Sequence, residues 1–445
     1  MYDAIIIGAG VTGAAQAWLL ALHTDAKRIL VIERREKPGE VNSNVTNNSQ
    51  TLHRGEIETN YDLERALRVK WGSDLLEGFC RRFLPDGSMV IQKQVIAVDG
   101  ETDRLKLRFD EFREHFSDIR LLGPDDIAKV EPMVMKGRDP QQDIVSLYTP
   151  HGRAVDYHQL ACKFIELAQE ASGNGVTVDV LYNLEVERIE PSRDGFVVRT
   201  ADGVAHTGRY VSVCAGSGSL LHAHALGYHR EYALLPVAGS FYRSVRSGGL
   251  LDGKVYTMQL PKLPFAAVHG DPAVYNPDET RFGPTARPLP MLERHNYATI
   301  WEFLRVGLVS PRGIWALMKI LADWDISKFA LENMLYEWPY VGKRAFLRRA
   351  RKVIPSLRPE DIILDKGAGG VRGQPVNLVT GELRKDADRV IAPDAPIAFT
   401  LAPSPGASFC LGNAVEIVRD MQDKIGLQFR EGTMETMLLS SQRAS

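Results

Sequence analysis

The pattern of apolar and polar positions divides the start of the chain into a strand, a helix and a second strand. Residues 2–7 form an apolar run that stops at a glycine turn, an alanine-rich segment continues to His23, and residues 28–33 form another apolar run ending in an acid. Short apolar runs bounded by glycine favour buried strands, whereas apolar residues at helical spacing favour a helix. The pattern therefore predicts a βαβ unit over residues 2–33.

The turn after the first strand carries three glycines in the spacing GxGxxG. Gly8 allows a sharp exit from the strand, Gly10 lets a pyrophosphate approach the backbone, and Gly13 lets the helix pack closely on the sheet. The helix that begins near Val11 and Thr12 would point unpaired N–H groups and the positive end of its dipole at the phosphates. These features predict a site for an adenine dinucleotide.

Glu33 closes the second strand, twenty residues after Gly13. A carboxylate at this position can accept hydrogen bonds from the hydroxyls of an adenosine ribose. The chain carries no second GxGxxG unit, so we expect one resident dinucleotide rather than a nicotinamide cosubstrate.

Beyond residue 33 the periodicity alternates between helical and strand-like stretches. Helical spacing predicts helices over 62–83, 101–116, 156–171 and 410–424, a short one from Gly123, and a helical block over 296–350, with 410–424 as the final helix. Short β-branched runs separated by turn residues predict strands over 89–97, 176–180, 184–189, 196–200, 210–214, 237–242, 255–259 and 265–269. The strand that ends at Cys214 runs into a glycine turn and suits a return to the first sheet, and 362–365 and 397–401 are predicted as the closing strands.

Composition and charge narrow the class of protein. The chain has 445 residues, 44% of them apolar, which is enough for two domains with sizeable cores. A formal net charge of −2 provides no field that would attract nucleic acid. The first strand begins without a secretory signal, and no apolar run is long enough to span a membrane. We therefore predict a cytoplasmic protein with no nucleic-acid partner and no transmembrane segment.

Cysteine and histidine positions argue against a metal or redox centre. The four cysteines lie far apart and form no CxxC pair, which favours reduced thiols over disulfides, zinc or a dithiol. His222, His224 and His229 lie close together, but no carboxylate or cysteine completes a recognisable ligand set. The sequence therefore predicts no metal site.

Four further segments carry recognisable motifs: residues 48–61 with Asn48, His53 and an acid-Thr-Asn-Tyr end; His-Gly-Asp at 269–271 followed by Phe-Gly-Pro at 282–284; residues 367–374; and Ala-Pro-Ser-Pro-Gly-Ala-Ser at 402–408. These segments resemble the FAD-dependent malate:quinone oxidoreductases and, more loosely, the D-amino-acid-oxidase-like superfamily that includes 2-hydroxyglutarate oxidases. The last segment is the most specific. Gln-Thr-Leu-His at residues 50–53 departs from the Gly-Thr-Gly-His of that family.

The resemblance implies an α/β fold with a glutathione-reductase-type FAD-binding Rossmann domain and a second, mixed α+β substrate domain. We assign residues 1–70, 151–235 and 360–445 to the FAD-binding domain, and 71–150 and 236–359 to the substrate domain. The residues that we predict to bind FAD are Gly8, Gly10, Val11, Thr12, Gly13, Glu33, Arg34, Thr51, Val186, Ala215, Gly216, Gly373, Gly406, Ala407 and Ser408.

The segment that ends at Ser408 lies immediately before the predicted C-terminal helix. Placed near the flavin pyrimidine, the positive end of that helix would stabilise the negative charge of the reduced ring. The alternative interpretation is an ordinary helix cap made by Ser408.

Three residues are the candidates for chemistry on a 2-hydroxy acid. We predict His269 as the base that removes the hydroxyl proton, with Asp271 on the same face of the strand to orient its ring. Arg372 would bind a substrate carboxylate bidentately. His53 would be a second carboxylate contact or, less favoured, a point of covalent flavin attachment. A structural strand histidine and a surface salt bridge are the alternatives for His269 and Arg372.

Basic and aromatic residues in the helical block indicate a surface for a membrane. The helix at 343–352 is rich in Lys and Arg, and Trp301 and Trp315 lie in neighbouring apolar helical segments. Such a surface could contact a membrane peripherally on its inner face, where a lipid-dissolved quinone is accessible. The alternative is a solvated basic face beside core tryptophans.

The sequence as a whole predicts an enzyme that uses FAD to oxidise a small, malate-like (S)-2-hydroxy acid and passes electrons to a quinone or another non-nicotinamide acceptor. An amine or amino-acid oxidase of the same superfamily is one alternative. A flavin-binding interaction protein without turnover is the other.

Overall fold

The computed structural model describes all residues except 174, 246–247, 260–262, 264–266, 339, 385–389, 393, 402–404 and 441–445. Its strands, in chain order, are β1 (Tyr2–Ile7), β2 (Arg28–Ile32), β3 (Ser88–Val98), β4 (Arg120–Leu122), β5 (Ile144–Val155), β6 (Thr177–Leu181), β7 (Val186–Ser192), β8 (Gly195–Thr200), β9 (Ala205–Val213), β10 (Tyr232–Ala238), β11 (Phe241–Ser244), β12 (Lys254–Thr257), β13 (His269–Ala273), β14 (Asn276–Gly283), β15 (Arg287–Pro288), β16 (Ile362–Asp365), β17 (Val371–Asn377), β18 (Glu382–Leu383), β19 (Val390–Ile391) and β20 (Ile397–Phe399).

The helices lie between these strands and after the last of them. In chain order they are α1 (Val11–His23), α2 (Leu63–Phe83), α3 (Thr102–Phe112), α4 (Pro124–Val130), α5 (Pro132–Met135), α6 (Tyr157–Glu170), α7 (Ser219–Ala225), α8 (Thr299–Val306), α9 (Pro311–Leu321), α10 (Trp324–Tyr336), α11 (Gly342–Val353), α12 (Cys410–Ile425) and α13 (Glu431–Leu439). None of the helices that the structure describes is both long and apolar enough to cross a membrane.

The first sheet has the strand order β19-β20-β9-β1-β2-β6. β1 lies inside it and pairs in parallel with both β2 and β9, while β6 and β20 extend the parallel ladder on either side. β7 and β8 continue from β9 as an antiparallel hairpin. The βαβ unit at residues 2–33 and the returning strand that ends near Cys214 are therefore neighbours, as the sequence predicts.

Helix α1 is buried along nearly its whole length, because its small side chains let α6 and α12 pack closely against it. Trp18 fills the centre of this layer, with its ring centroid 5.1 Å from that of Phe79 and 5.7 Å from that of Phe164. Complete burial of a large apolar side chain stabilises a fold by roughly 1.5–3 kcal/mol. This packing makes the start of α1 a rigid platform.

The second large sheet has the order β16-β11-β14-β13-β12-β3-β5-β4, and α11 covers part of it. Phe346 of α11 stacks on Tyr242 of β11, with ring centroids 4.3 Å apart. A third, small sheet, β15-β10-β17-β18, contacts α8 through β10 and α9 through β18.

The structure corrects several details of the predicted elements. Residues 362–365 form β16 at the edge of the second large sheet, so they do not close the first one. The helix at 410–424 is not the last, because α13 follows it and packs on α2. The helix predicted at 101–116 ends at Phe112. Part of the predicted strand 265–269 lies outside the described residues, and β13 begins at His269. The domain boundaries stay a prediction.

Candidate active site

A cavity of about 960 Å³ lies where the first sheet, the small sheet and the C-terminal loop meet. Its volume is at the upper end of the range of ordinary ligand sites. Sequence-predicted residues that line it are Gly8, Gly10, Val11, Thr12, Glu33, Arg34, His53, Thr51, Val186, Ala215, Gly216, Arg372, Gly373, Gly406, Ala407 and Ser408.

The glycines of the turn have three different roles. Gly8 has φ +100°, and a Cβ on it would lie 2.6 Å from the Cys214 carbonyl oxygen. Gly13 does not line the cavity; a Cβ there would lie 2.0 Å from the Gly8 carbonyl oxygen. Gly10 is different, because a Cβ on it would meet only Ser43 Oγ, at 3.6 Å. Gly8 and Gly13 thus shape the turn, and Gly10 keeps the wall of the cavity open.

Two side chains organise the backbone around this turn. Glu33 Oε2 accepts a hydrogen bond from Ala9 N at 2.6 Å, and its Oε1 accepts one from Arg35 N at 2.9 Å. Val11 N donates to Ser43 Oγ at 3.0 Å. The expectation that the first N–H groups of α1 have no protein partner is therefore wrong for Val11. Sequence reasoning missed Ser43, which lies in the polar loop after Arg34.

The polar loop after β2 also holds the segment that carries Arg372. Asn42 Nδ2 donates to the Val371 carbonyl at 3.0 Å, and Val371 N donates back to Asn42 Oδ1 at 3.3 Å. Gly369 N donates to the Thr46 carbonyl at 3.0 Å. Chain segments more than 300 residues apart thus form one wall of the cavity.

Ser408 joins the C-terminal loop to the segment at 49–53. Its Oγ donates to the Thr51 carbonyl at 3.1 Å and accepts from His53 N at 2.9 Å. Tyr157 OH donates to the same Thr51 carbonyl at 2.8 Å and lies 3.1 Å from Ser408 Oγ. Because α12 has Phe409 at its N-cap and no side-chain cap, Ser408 is not the helix cap of the alternative interpretation. Residues 402–404 of the predicted signature lie outside the described residues.

His53 and Glu58 form a close pair at the cavity. His53 Nδ1 lies 2.5 Å from Glu58 Oε1, and Gly55 N donates to Glu58 Oε2 at 2.8 Å. Burial raises the pKa of Glu58, but His53, Lys93 and Arg108 together lower it to about 2. An ionised Glu58 is an acceptor for a hydrogen bond from His53 Nδ1, and Ser49 Oγ lies 3.5 Å from His53 Nε2. Sequence reasoning missed this role for Glu58, although Gly55, at φ +97°, marks the turn that brings the two side chains together.

Arg372 presents a cation to the cavity. It lies on β17 opposite Val237 of β10, and its side chain is half-buried. Among the described residues no carboxylate or hydrogen-bond acceptor pairs with its guanidinium, and burial lowers its pKa. A cation left without a protein partner in a cavity suits an anionic ligand.

His269 lies one layer behind the cavity. It is completely buried, does not line the cavity, and its ring lies 4.5 Å from that of Tyr256 and 6.4 Å from that of Phe241. His269 Nε2 is 3.4 Å from Asp271 Oδ1, so the expected proximity of the two side chains is present. Burial lowers the pKa of His269 to about 3. The structure thus brings His53 and Arg372 to the cavity but not His269.

Asp271 belongs to a buried ion cluster. Its Oδ2 lies 2.7 Å from both Lys254 Nζ and Arg281 Nη2. Lys254 Nζ also donates to the Ser49 carbonyl at 3.0 Å, and Arg281 donates to the carbonyls of Asn48 and Ser49. The cluster therefore fixes the loop before His53, and it is the main environment of Asp271.

Of the histidines considered as metal ligands, His229 has its Nδ1 3.3 Å from Glu231 Oε1. No group of His, Cys, Asp or Glu side chains within the described ranges could hold a metal ion. His222 lines the cavity, and burial, with a smaller effect of Arg34, lowers its pKa to about 4.

The residues of the cavity fit FAD. Gly10 leaves the backbone at the start of α1 open to a pyrophosphate, and the dipole of the buried helix behind it favours an anion. Glu33, at the end of β2, is at the position that binds a ribose in such units. The cavity continues from there to His53 and Arg372, which gives a dinucleotide and a small anion one common space.

Comparisons with known proteins agree with this assignment. A family model described as FAD dependent oxidoreductase matches residues 3–393. A probable malate:quinone oxidoreductase of Campylobacter jejuni is 37% identical over 98% of this chain and 99% of its own. The malate:quinone oxidoreductase of Helicobacter pylori strain 26695 is 34% identical over 96% of each chain.

Among solved structures, the L-α-glycerophosphate oxidase of Mycoplasma pneumoniae with FAD bound shares the fold. Its TM-score is 0.63 at 18% identity, and the match covers 95% of this chain and 94% of the other. The chain thus belongs to the FAD-dependent oxidoreductase family, among the malate:quinone oxidoreductases.

Proposed function

We propose that the protein oxidises a small, malate-like (S)-2-hydroxy acid with bound FAD and passes the electrons to a quinone or another non-nicotinamide acceptor. The observation that carries this proposal is that two features lie at one cavity: the guanidinium of Arg372, which has no partner among the residues that the structure describes, and the His53–Glu58 pair. The similarity to malate:quinone oxidoreductases over nearly the whole chain supports the reaction class.

Each group has one task in this proposal. Arg372 binds a carboxylate of the substrate, and the surrounding low dielectric strengthens that contact. His53 accepts the hydroxyl proton at Nε2, while Glu58 holds Nδ1–H and stabilises the imidazolium. Bound FAD supplies the hydride acceptor.

We propose His53 as the base in place of His269. A general base needs to reach the proton that it removes, and His53 lines the cavity whereas His269 is completely buried and does not line it. We propose that His269 and Asp271 keep the second sheet and the 48–53 loop in place.

Anaerobic mixing with substrate tests the reaction. The bound flavin should bleach rapidly with malate or 2-hydroxyglutarate, and a quinone analogue should restore its colour, whereas NAD should not. Bleaching only with amino acids would establish the amino-acid oxidase alternative. No bleaching with either panel would favour a flavin-binding protein without turnover.

We further propose peripheral contact with the inner face of the membrane, because a quinone acceptor is dissolved in lipid. The exposed tryptophans of α8 and α9 support this proposal.

A further inference from the structure

Helices α8, α9 and α10 expose large apolar side chains to solvent. Trp301 on α8 is 71% exposed, Met318 on α9 is 63% exposed, and Trp324 on α10 is 77% exposed. Monomeric proteins rarely expose apolar side chains in such density without a partner. We call this the α8–α10 surface; it also includes Leu304, Trp315 and Leu331.

These exposed residues are additional to the apolar residues that pack inward. On α9, Ala316 and Ile320 are buried in a small core with Val376 of β17, while Trp315 and Met318 point away from it. The helix therefore already has its packing face, and its outer apolar residues remain exposed, although the ring of Trp315 also lies near Gly381 and Lys319. Their position on the outside of the chain indicates that they contact an apolar environment outside the protein.

The basic helix α11, beside the α8–α10 surface, favours an anionic lipid surface as the occupant. Six of the ten Lys or Arg at residues 296–353 lie on α11, whereas residues 299–336, which include α8–α10, carry four basic and four acidic residues. Exposed Arg344 and Arg348 lie on α11, which packs beside α10. Basic residues near an anionic bilayer contribute about 1 kcal/mol each.

Helix α8 also forms part of the cavity wall. Glu302, Arg305 and Val306 line the cavity, and Arg34 Nη1 lies 3.9 Å from Glu302 Oε1. Arg34 follows Glu33, so α8 closes the cavity at its ribose end. Trp301 and Leu304, on the same two turns, belong to the exposed surface.

We propose that the α8–α10 surface docks on an anionic bilayer and that docking holds α8 in place, which slows the loss of FAD. The inference rests on the proposed function only in requiring bound FAD and membrane contact. A bilayer that binds the protein more tightly when α8 closes the cavity than when α8 is displaced stabilises the closed position. The stabilisation equals the difference between the two binding free energies.

The rate of FAD release tests the inference. Holoenzyme is diluted into buffer with or without saturating vesicles of phosphatidylglycerol and phosphatidylethanolamine, and the flavin that stays with the protein is measured over time. We expect release to be about fivefold slower on vesicles, the lower end of typical coupling between sites. The Trp301→Ala/Leu304→Ala variant should lose this slowing.

The matched control is Trp324→Ala/Leu331→Ala on α10, which does not line the cavity. It should weaken vesicle binding but keep the slowing once vesicles are saturating. The inference would be overturned if FAD were released at the same rate from vesicle-bound and free protein. It would also be overturned if the protein formed a dimer that covers the α8–α10 surface and does not bind vesicles. Neither result affects the substrate assignment, because the bleaching assay uses no vesicles.

Discussion

His53 is the residue whose position in the site best suits the proposed proton transfer. Its imidazole lines the cavity, its Nδ1 is held by Glu58, and its backbone N–H is bound by Ser408. Glu58 therefore holds the ring at Nδ1 and Ser408 holds the backbone, while Nε2, which lies 3.5 Å from Ser49 Oγ, is the nitrogen proposed to take the proton of a ligand.

We expect His53→Gln to slow flavin bleaching by malate by about 10²–10⁴, the usual contribution of a general base. FAD content should stay at the wild-type level, because the side chain of His53 is not needed to build the Gly8–Gly13 turn. Stopped-flow absorbance under anaerobic conditions measures the rate. Glu58→Gln should show a smaller loss. Wild-type bleaching by His53→Gln, together with a large loss in His269→Gln, would return the role of base to His269.

Arg372→Gln should weaken substrate binding more than it slows bleaching at saturation. Loss of a charge-assisted hydrogen bond costs about 1.5–3 kcal/mol, so the concentration of malate at half-maximal rate should rise by about 10–100-fold. Titration of the bleaching rate against malate separates the two effects. An unchanged half-saturation concentration would place the carboxylate elsewhere.

His269 should make the protein sensitive to acid. Its pKa is about 3 in the folded state, below the ordinary value of 6.5, so the unfolded chain takes up the proton first. The contribution of His269 to the free energy of unfolding is therefore fully present above about pH 6.5. It falls by about 1.4 kcal/mol per pH unit as the pH drops from there towards 3.

His269→Gln should reduce that slope in urea unfolding measured from pH 7 to pH 5. His23 and His222, with pKa values lowered to about 4, act in the same direction and remain in both proteins. The informative quantity is thus the difference between the slopes. Equal slopes would mean that His269 is already protonated or exposed in the folded state.

At the scale of elements, two glycines of the turn between β1 and α1 have different roles, one in folding and one in binding. Gly13→Ala puts a methyl group against the Gly8 carbonyl, and Gly10→Ala puts one into the cavity. Overpacking costs about 1–3 kcal/mol, so Gly13→Ala should lower the melting temperature of the FAD-free protein.

Gly10→Ala should leave that melting temperature nearly unchanged but reduce the FAD retained after gel filtration. Absorbance of the eluted protein measures retention, and scanning calorimetry of the FAD-free protein measures stability. A fully loaded Gly10→Ala protein would show that the phosphates do not approach this glycine.

Contacts between distant elements also position the loops that line the cavity. The 42–47 loop holds the start of β17, and Ser408 holds the 49–53 loop, through hydrogen bonds between segments hundreds of residues apart. Arg372 and His53 therefore depend on the complete fold for their position.

For the whole molecule, FAD is expected to be a structural ligand as well as a cofactor. The first sheet, the small sheet and the C-terminal loop each contribute residues to the wall of the cavity. A ligand that binds only the folded state stabilises it by about 4 kcal/mol at a thousand times its Kd. Removal of FAD should lower the melting temperature, and added FAD should restore it in proportion to the logarithm of its concentration. A melting temperature independent of FAD would show that the ligand does not bridge these walls.

The sequence determined much of the fold because its strongest signals are local. The GxGxxG turn, the flanking apolar runs and Glu33 lie within 32 residues, so spacing alone predicts the βαβ unit. The helices at 62–83 and 156–171 were predictable for the same reason, since each has its own amphipathic period. Motifs at 402–408 and 367–374 likewise indicated the family and, with it, FAD.

Only the tertiary structure decided which histidine meets the cavity. His53 and His269 both lie in motifs, and no property of the linear sequence states that one lines the cavity and the other is completely buried beside it. Packing also brings Glu58 to His53 and places the Arg372 guanidinium, which has no partner among the described residues, in the cavity. It likewise makes α8 part of both the cavity wall and the exposed surface. Burial and long-range contact depend on how separate elements come together, and local periodicity carries no record of that arrangement.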